Sequence, residues 1–145
     1  MAAVSQKDLY AKLVGIVCAS DQEAIAFCTM ELADMGYYVV TDKENYVFGV
    51  PETELVTPVM LMAHIDTCRK SDDVVPRLFR DTMYNSNAKA CGCLGADDRA
   101  GVFIALEIAE RLEHKPYVLF TTGEETGHYG VTAFLNAKHP ERSTH

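Results

Sequence analysis

With 145 residues, 48% of them hydrophobic and 23% charged, the chain has the composition of a globular domain with a real core; disordered, collagen-like and low-complexity classes are excluded. Its 21 Asp and Glu against 13 Lys and Arg leave a net charge of −8. That balance repels a phosphate backbone and argues against general nucleic-acid binding, while offering acid groups to metal ions or amine-bearing ligands.

No stretch approaches the roughly 20 continuous apolar residues that cross a bilayer, so no membrane role is expected. The opening Met1-Ala2-Ala3-Val4-Ser5-Gln6-Lys7-Asp8 lacks a basic region followed by an apolar one, which predicts no signal peptide and a cytoplasmic location. Cys18, Cys28, Cys68, Cys91 and Cys93 are odd in number, in a chain large enough to fold without crosslinks. Reduced thiols follow.

In chain order, Leu9, Leu13, Ile16 and Val17 recur at helical spacing. A second helix follows through Ala24, Ile25, Phe27, Cys28, Met30, Leu32 and Met35, with Ser20 and Glu23 as a capping box and Gly36 as its stop. Residues 37–41 and 46–50 are β-branched and aromatic runs that read as a hairpin. Residues 56–63 form a continuous apolar run, which predicts a strand covered on both faces. Residues 71–87 mix charge, Pro76 and Asn85-Ser86-Asn87 without a clean period, a loop with at most one short hairpin. Apolar residues lie nearly all around 97–112, as in a helix buried against a sheet; 117–121 is a further strand and 127–137 begins a helix. This alternation predicts an α/β layer on a parallel or mixed sheet, folded as one domain.

Three segments place carboxylates or imidazole after an apolar strand or at a helix start. They are Met62-Ala63-His64-Ile65-Asp66-Thr67, Leu94-Gly95-Ala96-Asp97-Asp98-Arg99-Ala100-Gly101 and Thr121-Thr122-Gly123-Glu124-Glu125-Thr126-Gly127. Ligands of open α/β sheets bind outside the carboxyl ends of the strands. His64 and Asp66, two apart, point the same way on a strand, so the carboxylate can orient the imidazole; the plain alternative is a capped strand end and a turn. Asp97-Asp98 fits helix capping, and equally a hard oxygen donor bridging two cations such as zinc, manganese or cobalt. About three adjacent acid pairs are expected by chance at this composition, and the chain has three, so position rather than pairing distinguishes Glu124-Glu125. Adjacent loop carboxylates can diverge, one binding metal and the other accepting a proton.

Taken together, and in this order, the three segments resemble the catalytic domain of the di-zinc exopeptidase superfamily, which groups co-catalytic aminopeptidases, carboxypeptidases, tripeptidases and related amide hydrolases. The leading helix pair and the hairpin through Tyr46-Val47-Phe48-Gly49 extend the likeness to tripeptidase-like members over nearly the whole chain. The resemblance implies a three-layer mixed sheet with helices on both faces. It also implies His64 as ligand of the first metal, Asp97 as the bridge, Glu125 as ligand of the second, Glu124 as general base or acid, and Asp66 as support for His64. Asp98 is the lesser candidate for the bridge. The implied reaction is hydrolysis of a peptide or N-acyl amide bond on a zinc pair, with manganese or cobalt as alternatives, Glu124 carrying the proton from water to the leaving amine.

The family also supplies a later carboxylate ligand and a histidine near the end of its catalytic domain, and His139 and His145 come too early to match that histidine. The expectation is therefore a domain incomplete at its C-terminus, with part of its sheet edge or one helix-covered face exposed, completed by a complementing polypeptide or a homo-oligomer, or else a truncated or degenerate form that binds metal or a partner without hydrolysis. A thiolate site of Cys68, Cys91 and Cys93 is a weaker reading, because Cys-x-Cys is too tight for the usual knuckle. His114, His128, His139 and His145 lie in polar surroundings and are expected at the surface.

Overall fold

A computed structural model describes residues 6–42, 44–68, 74–87 and 93–139. Helices α1 (Gln6–Cys18) and α2 (Asp21–Asp34) lead the chain. Ser20 caps α2 through the expected box: its hydroxyl accepts from the Glu23 N–H, and its own N–H donates to Glu23 Oε2 at 2.8 Å. Gly36 takes a φ of +81°, the left-handed turn that lets the chain leave the helix.

The predicted hairpin is β1 (Tyr37–Asp42) and β2 (Tyr46–Pro51), antiparallel. Next come β3 (Val56–His64), the small hairpin β4 (Pro76–Phe79) and β5 (Thr82–Asn85), α3 (Arg99–Arg111), β6 (Lys115–Thr121) and α4 (Tyr129–Asn136). The main sheet runs β1-β2-β6-β3, with β2 antiparallel and β3 parallel to β6, so the sheet is mixed. Among the described residues no helix is long and apolar enough to cross a membrane.

Each face of the sheet builds its own core, because side chains alternate along the strands. On one face α1, α2 and α3 pack Ile16, Leu32, Val102 and Leu106 against Val47, Ala63, Val118 and Phe120. On the other, Phe134 and Ala133 of α4 cover Tyr46, Phe48, Val50 and Leu119. Helices therefore lie on both faces of a mixed sheet, the three-layer α/β class.

Two sequence expectations are corrected here. The run 56–63 is not covered on both faces: β3 lies at the sheet edge, where Val59, Met60 and Met62 are exposed. α4 packs over β2, two strands away from β3, so only the side of β3 that carries Ala63 and Leu61 meets a helix layer. Likewise α3 buries Val102, Ala105, Leu106 and Ala109 but leaves Ile104, Ile108 and Leu112 exposed. An apolar run in sequence records hydrophobicity, not which neighbours cover it.

Tyr37 is buried, and among the described residues its hydroxyl has no hydrogen-bond partner. Burial pushes its phenol from 10.0 up to about 12, and desolvation likewise pushes the Cys28 thiol from 9.0 up to about 12. Both stay neutral in the fold at pH values where the unfolded chain ionises, so their contribution is full below the unfolded values and lost as pH rises toward 12. Tyr37→Phe removes an unsatisfied hydroxyl and should add about 1 kcal/mol at neutral pH. It should also flatten the loss of stability between 10.0 and about 12, as read from urea midpoints. A lowered midpoint at neutral pH would show that the hydroxyl is held by a partner.

Candidate active site

The parallel pairing of β3 with β6 sets His64 directly beside Thr121, so the loops leaving both strands emerge at the same end. The Ile65 N–H extends the ladder by donating to Thr121 O at 2.7 Å. Beyond β6 the chain turns tightly: Gly123 and Gly127 have φ of +70° and +130°, and the His128 N–H returns to Gly123 O at 2.6 Å. Thr122 fastens this turn to the β1–β2 hairpin, its N–H on Asn45 O and its hydroxyl on Glu44 O at 2.5 Å. Gly130 completes the anchorage, since a Cβ there would fall 2.4 Å from both Asn45 O and Thr122 O. Only a bare backbone fits.

Asp66 is the hub of the loops. Its buried carboxylate accepts the Glu124 N–H at 3.2 Å and the Glu125 N–H at 3.1 Å, and its main-chain O lies 2.9 Å from His64 Nδ1. A carbonyl can only accept, so Nδ1 carries a proton, and in that tautomer of the imidazole Nε2 presents its lone pair. That lone pair faces carboxylates: Asp97 Oδ1 at 3.3 Å and Glu124 Oε2 at 3.9 Å. Lone pair against anion is repulsive unless a cation or a proton lies between them. Two ligands of one tetrahedral zinc, with bonds of about 2.0–2.1 Å, stand about 3.3–3.4 Å apart, so the His64–Asp97 spacing fits a shared divalent cation. Among the described residues no three His, Cys, Asp or Glu side chains converge into a metal cage.

The two aspartates of the second segment have separate employment. Asp98 is the N-cap of α3, accepting the Gly101 N–H at 3.2 Å, and a Cβ on residue 101 would lie 2.2 Å from its carboxylate. The side chain of Asp97, joined to Asp98 by a cis peptide bond, is 88% exposed and turned to His64.

Arg99 lies beneath them, 1% exposed. Its Nε donates to Ile65 O at 2.8 Å, Nη1 to Ile16 O at 2.8 Å and also to Ala19 O, and Nη2 to Asp21 Oδ1 at 2.6 Å. One planar fork thus joins the end of α1, the start of α2 and the peptide between His64 and Asp66.

The family model of peptidase family M28 matches residues 45–145, more than two thirds of the chain and all three segments. The chain belongs to peptidase family M28. No match is found among curated proteins. Among solved structures, aminopeptidase PepT from Bacillus cereus is similar at 21% identity and a TM-score of 0.71, over 90% of this chain and 40% of that one. A tripeptidase from Staphylococcus aureus is similar at 20% identity and 0.66, over 90% and 40%. Aminoacylhistidine dipeptidase from Vibrio alginolyticus is similar at 19% and 0.57, over 88% and 30%. At these identities the likeness is one of fold, and the chain spans less than half the length of each of these structures.

In this M28 fold the sequence candidates do not all meet. Asp97 and Glu124 both face His64, and Asp66 ties the end of β3 to the Glu124-Glu125 turn. The support that Asp66 gives the imidazole comes mainly through its carbonyl; its carboxylate, 3.5 Å from Nδ1, is spent on the two Glu amides. Glu125 instead lines a neighbouring cleft of about 580 Å³ with Asp21, Gln22, Thr67 and Cys68. His128, whose Nδ1 is 3.7 Å from Glu124 Oε1, joins the site without any motif to announce it. His139 is corrected from surface to packed: its ring stacks on Phe134 at 4.0 Å, and its Nε2 contacts Phe134 O at 2.5 Å. Cys68 and Cys93 approach one another, while Cys91 and His145 lie outside the described residues.

Proposed function

We propose that this chain carries part of a metal-dependent hydrolase of peptide or N-acyl amide bonds, an exopeptidase in which His64 and Asp97 would hold a first zinc, manganese or cobalt, Glu125 from the adjoining cleft would serve a second with Asp97 as the bridge, and Glu124 is the general base. The observation that carries the reading is the Nε2 lone pair of His64 held 3.3 Å from Asp97 Oδ1, with Nδ1 engaged on Asp66 O. When bound, a divalent pair supplies Lewis acidity to the scissile carbonyl and to a water molecule.

The remaining chemistry belongs to the chain. Glu124, part-exposed at the rim, takes a proton from the attacking water and returns it to the leaving amine. Asp66 keeps the base in register with the imidazole, because one carboxylate grips both Glu amides and the same residue's carbonyl grips the ring. The names of the similar structures, an aminopeptidase, a tripeptidase and an aminoacylhistidine dipeptidase, favour a short peptide as substrate. On this reading the further carboxylate and histidine implied by the resemblance come from polypeptide outside these 145 residues, whether a continuation, a complementing chain or a second copy, and the protein works in the cytoplasm.

A second reading, a non-catalytic metal-binding or partner-binding domain, is favoured by the place of Glu125 in the adjoining cleft, apart from the pair of His64 and Asp97. Elemental analysis of the metal-replete protein tests the metal site, and hydrolysis of short peptides that is lost in Glu124→Gln with the metal retained separates the hydrolase from a non-catalytic metal-binding domain. About one or two zinc, manganese or cobalt ions per chain, lost in Asp97→Ala, is the expected result. No bound metal in the native protein, or equal metal in the variant, would overturn the assignment.

A further inference from the structure

The loop that leaves β3 past Asp66 and the segment that leads into α3 meet at two sulfurs. Cys68 Sγ and Cys93 Sγ lie 3.9 Å apart, and both are free thiols. A disulfide has sulfurs about 2.05 Å apart, so less than about 2 Å of closure is needed, and both residues sit in loops rather than in the sheet. Cys68 is exposed and open to attack on a reagent. Cys93 is half-buried and anchored: Asn85 Nδ2 donates to Cys93 O at 3.1 Å, while Asn85 Oδ1 accepts the N–H groups of Val75 and Asn87 at 2.9 and 3.0 Å. The β4–β5 hairpin thereby holds the second sulfur in place. A thiolate metal site would need further ligands, and among the described residues none completes one. A disulfide needs only the pair.

We propose that Cys68 and Cys93 form a reversible disulfide by exchange with a low-molecular-weight disulfide such as oxidised glutathione. The Cys68 thiolate attacks one sulfur of the reagent and releases the first glutathione thiol; Cys93 then attacks the Cys68 sulfur of the mixed disulfide and releases the second. Two cysteine thiols are oxidised, one disulfide is reduced, and the two thiol protons finish on the two glutathione molecules. The bond closes the chain from residue 68 to residue 93, with the β4–β5 hairpin inside the loop, and staples together the loop that follows Asp66 and the segment that precedes Asp97.

The test is peptide mapping of the intact protein under non-reducing conditions after equilibration with oxidised and reduced glutathione. The expected result is a linked pair of peptides carrying Cys68 and Cys93 and an intact mass about 2 Da lower, both reversed by excess dithiol. Cys68→Ser and Cys93→Ser should each abolish the bridge, and Cys91→Ser should leave it. A glutathione adduct that persists on Cys68, a bridge to Cys91 in place of Cys93, or unchanged thiols in oxidised buffer would each overturn the proposal. The native map decides even if a serine variant fails to fold, and it is read without any assay of hydrolysis.

Discussion

Arg99→Met should lower the stability of the fold by about 3–5 kcal/mol, among the largest losses that a single substitution in this chain can cause. The methionine fills much of the volume, so the loss arises from polarity rather than from a cavity. Ile16 O, Ala19 O and Ile65 O all take hydrogen bonds from the guanidinium, in a place that is 1% exposed at Arg99 itself. Buried acceptors stripped of their donor bear the full cost of desolvation. Two of the carbonyls belong to the end of α1 and the turn that follows it, where helix carbonyls have no partner within the helix and the dipole favours a cation. Arg99→Lys keeps the charge but not the fork, and should recover only part of the loss. Urea midpoints of the three proteins provide the check; a loss below about 1 kcal/mol in the Met variant would mean that other donors serve these carbonyls. Because the Ile65 carbonyl lies between His64 and Asp66, metal retention should weaken along with the fold.

On the proposed function, Glu124→Gln should reduce hydrolysis of short peptides by the complete enzyme by about 10²–10⁴-fold, the usual worth of a positioned general base, with metal content unchanged. The amide keeps the size of the carboxylate and its main-chain bond to Asp66 Oδ1, so the turn survives and only proton transfer is lost. Asp97→Ala should behave in the opposite order, losing metal first and activity in consequence, because Asp97 Oδ1 stands nearest to the free nitrogen of His64. Steady-state kinetics beside elemental analysis of both variants separates the roles. Equal metal and undiminished turnover in Glu124→Gln would remove it as the base.

The reach of the sequence follows from the range of the forces involved. The α2 capping box, the Gly36 stop and the β1–β2 hairpin were legible because each is fixed by neighbours a few residues away. The three chemical segments were legible too, since their residue types and their places after strands or at a helix start are local facts. Coverage was legible only in part: the resemblance implied an exposed sheet edge, but the apolar run of β3 reads as a strand covered on both faces, and only the fold shows that this strand is the edge, with Met60 and Met62 exposed. His139 shows the converse error, a polar neighbourhood in sequence and an aromatic one in space.

Sequence alone determined the α/β class, the family and the group of acids and imidazole from which a site could be made. Tertiary structure decided how that group divides. Asp98 became a helix cap and Asp97 a partner of His64; Asp66 became the clasp of the Glu124-Glu125 turn; Glu124 gained His128, and Glu125 turned to the adjoining cleft. It also revealed Arg99 as the buried fork beneath them, which reaches Ile16 and Asp21 from 83 and 78 positions away in the chain. The physical reason is that burial and hydrogen-bond partnership are properties of packed surfaces, and these arise only when β3 and β6 lie side by side and the loops at their ends are brought within reach of one another.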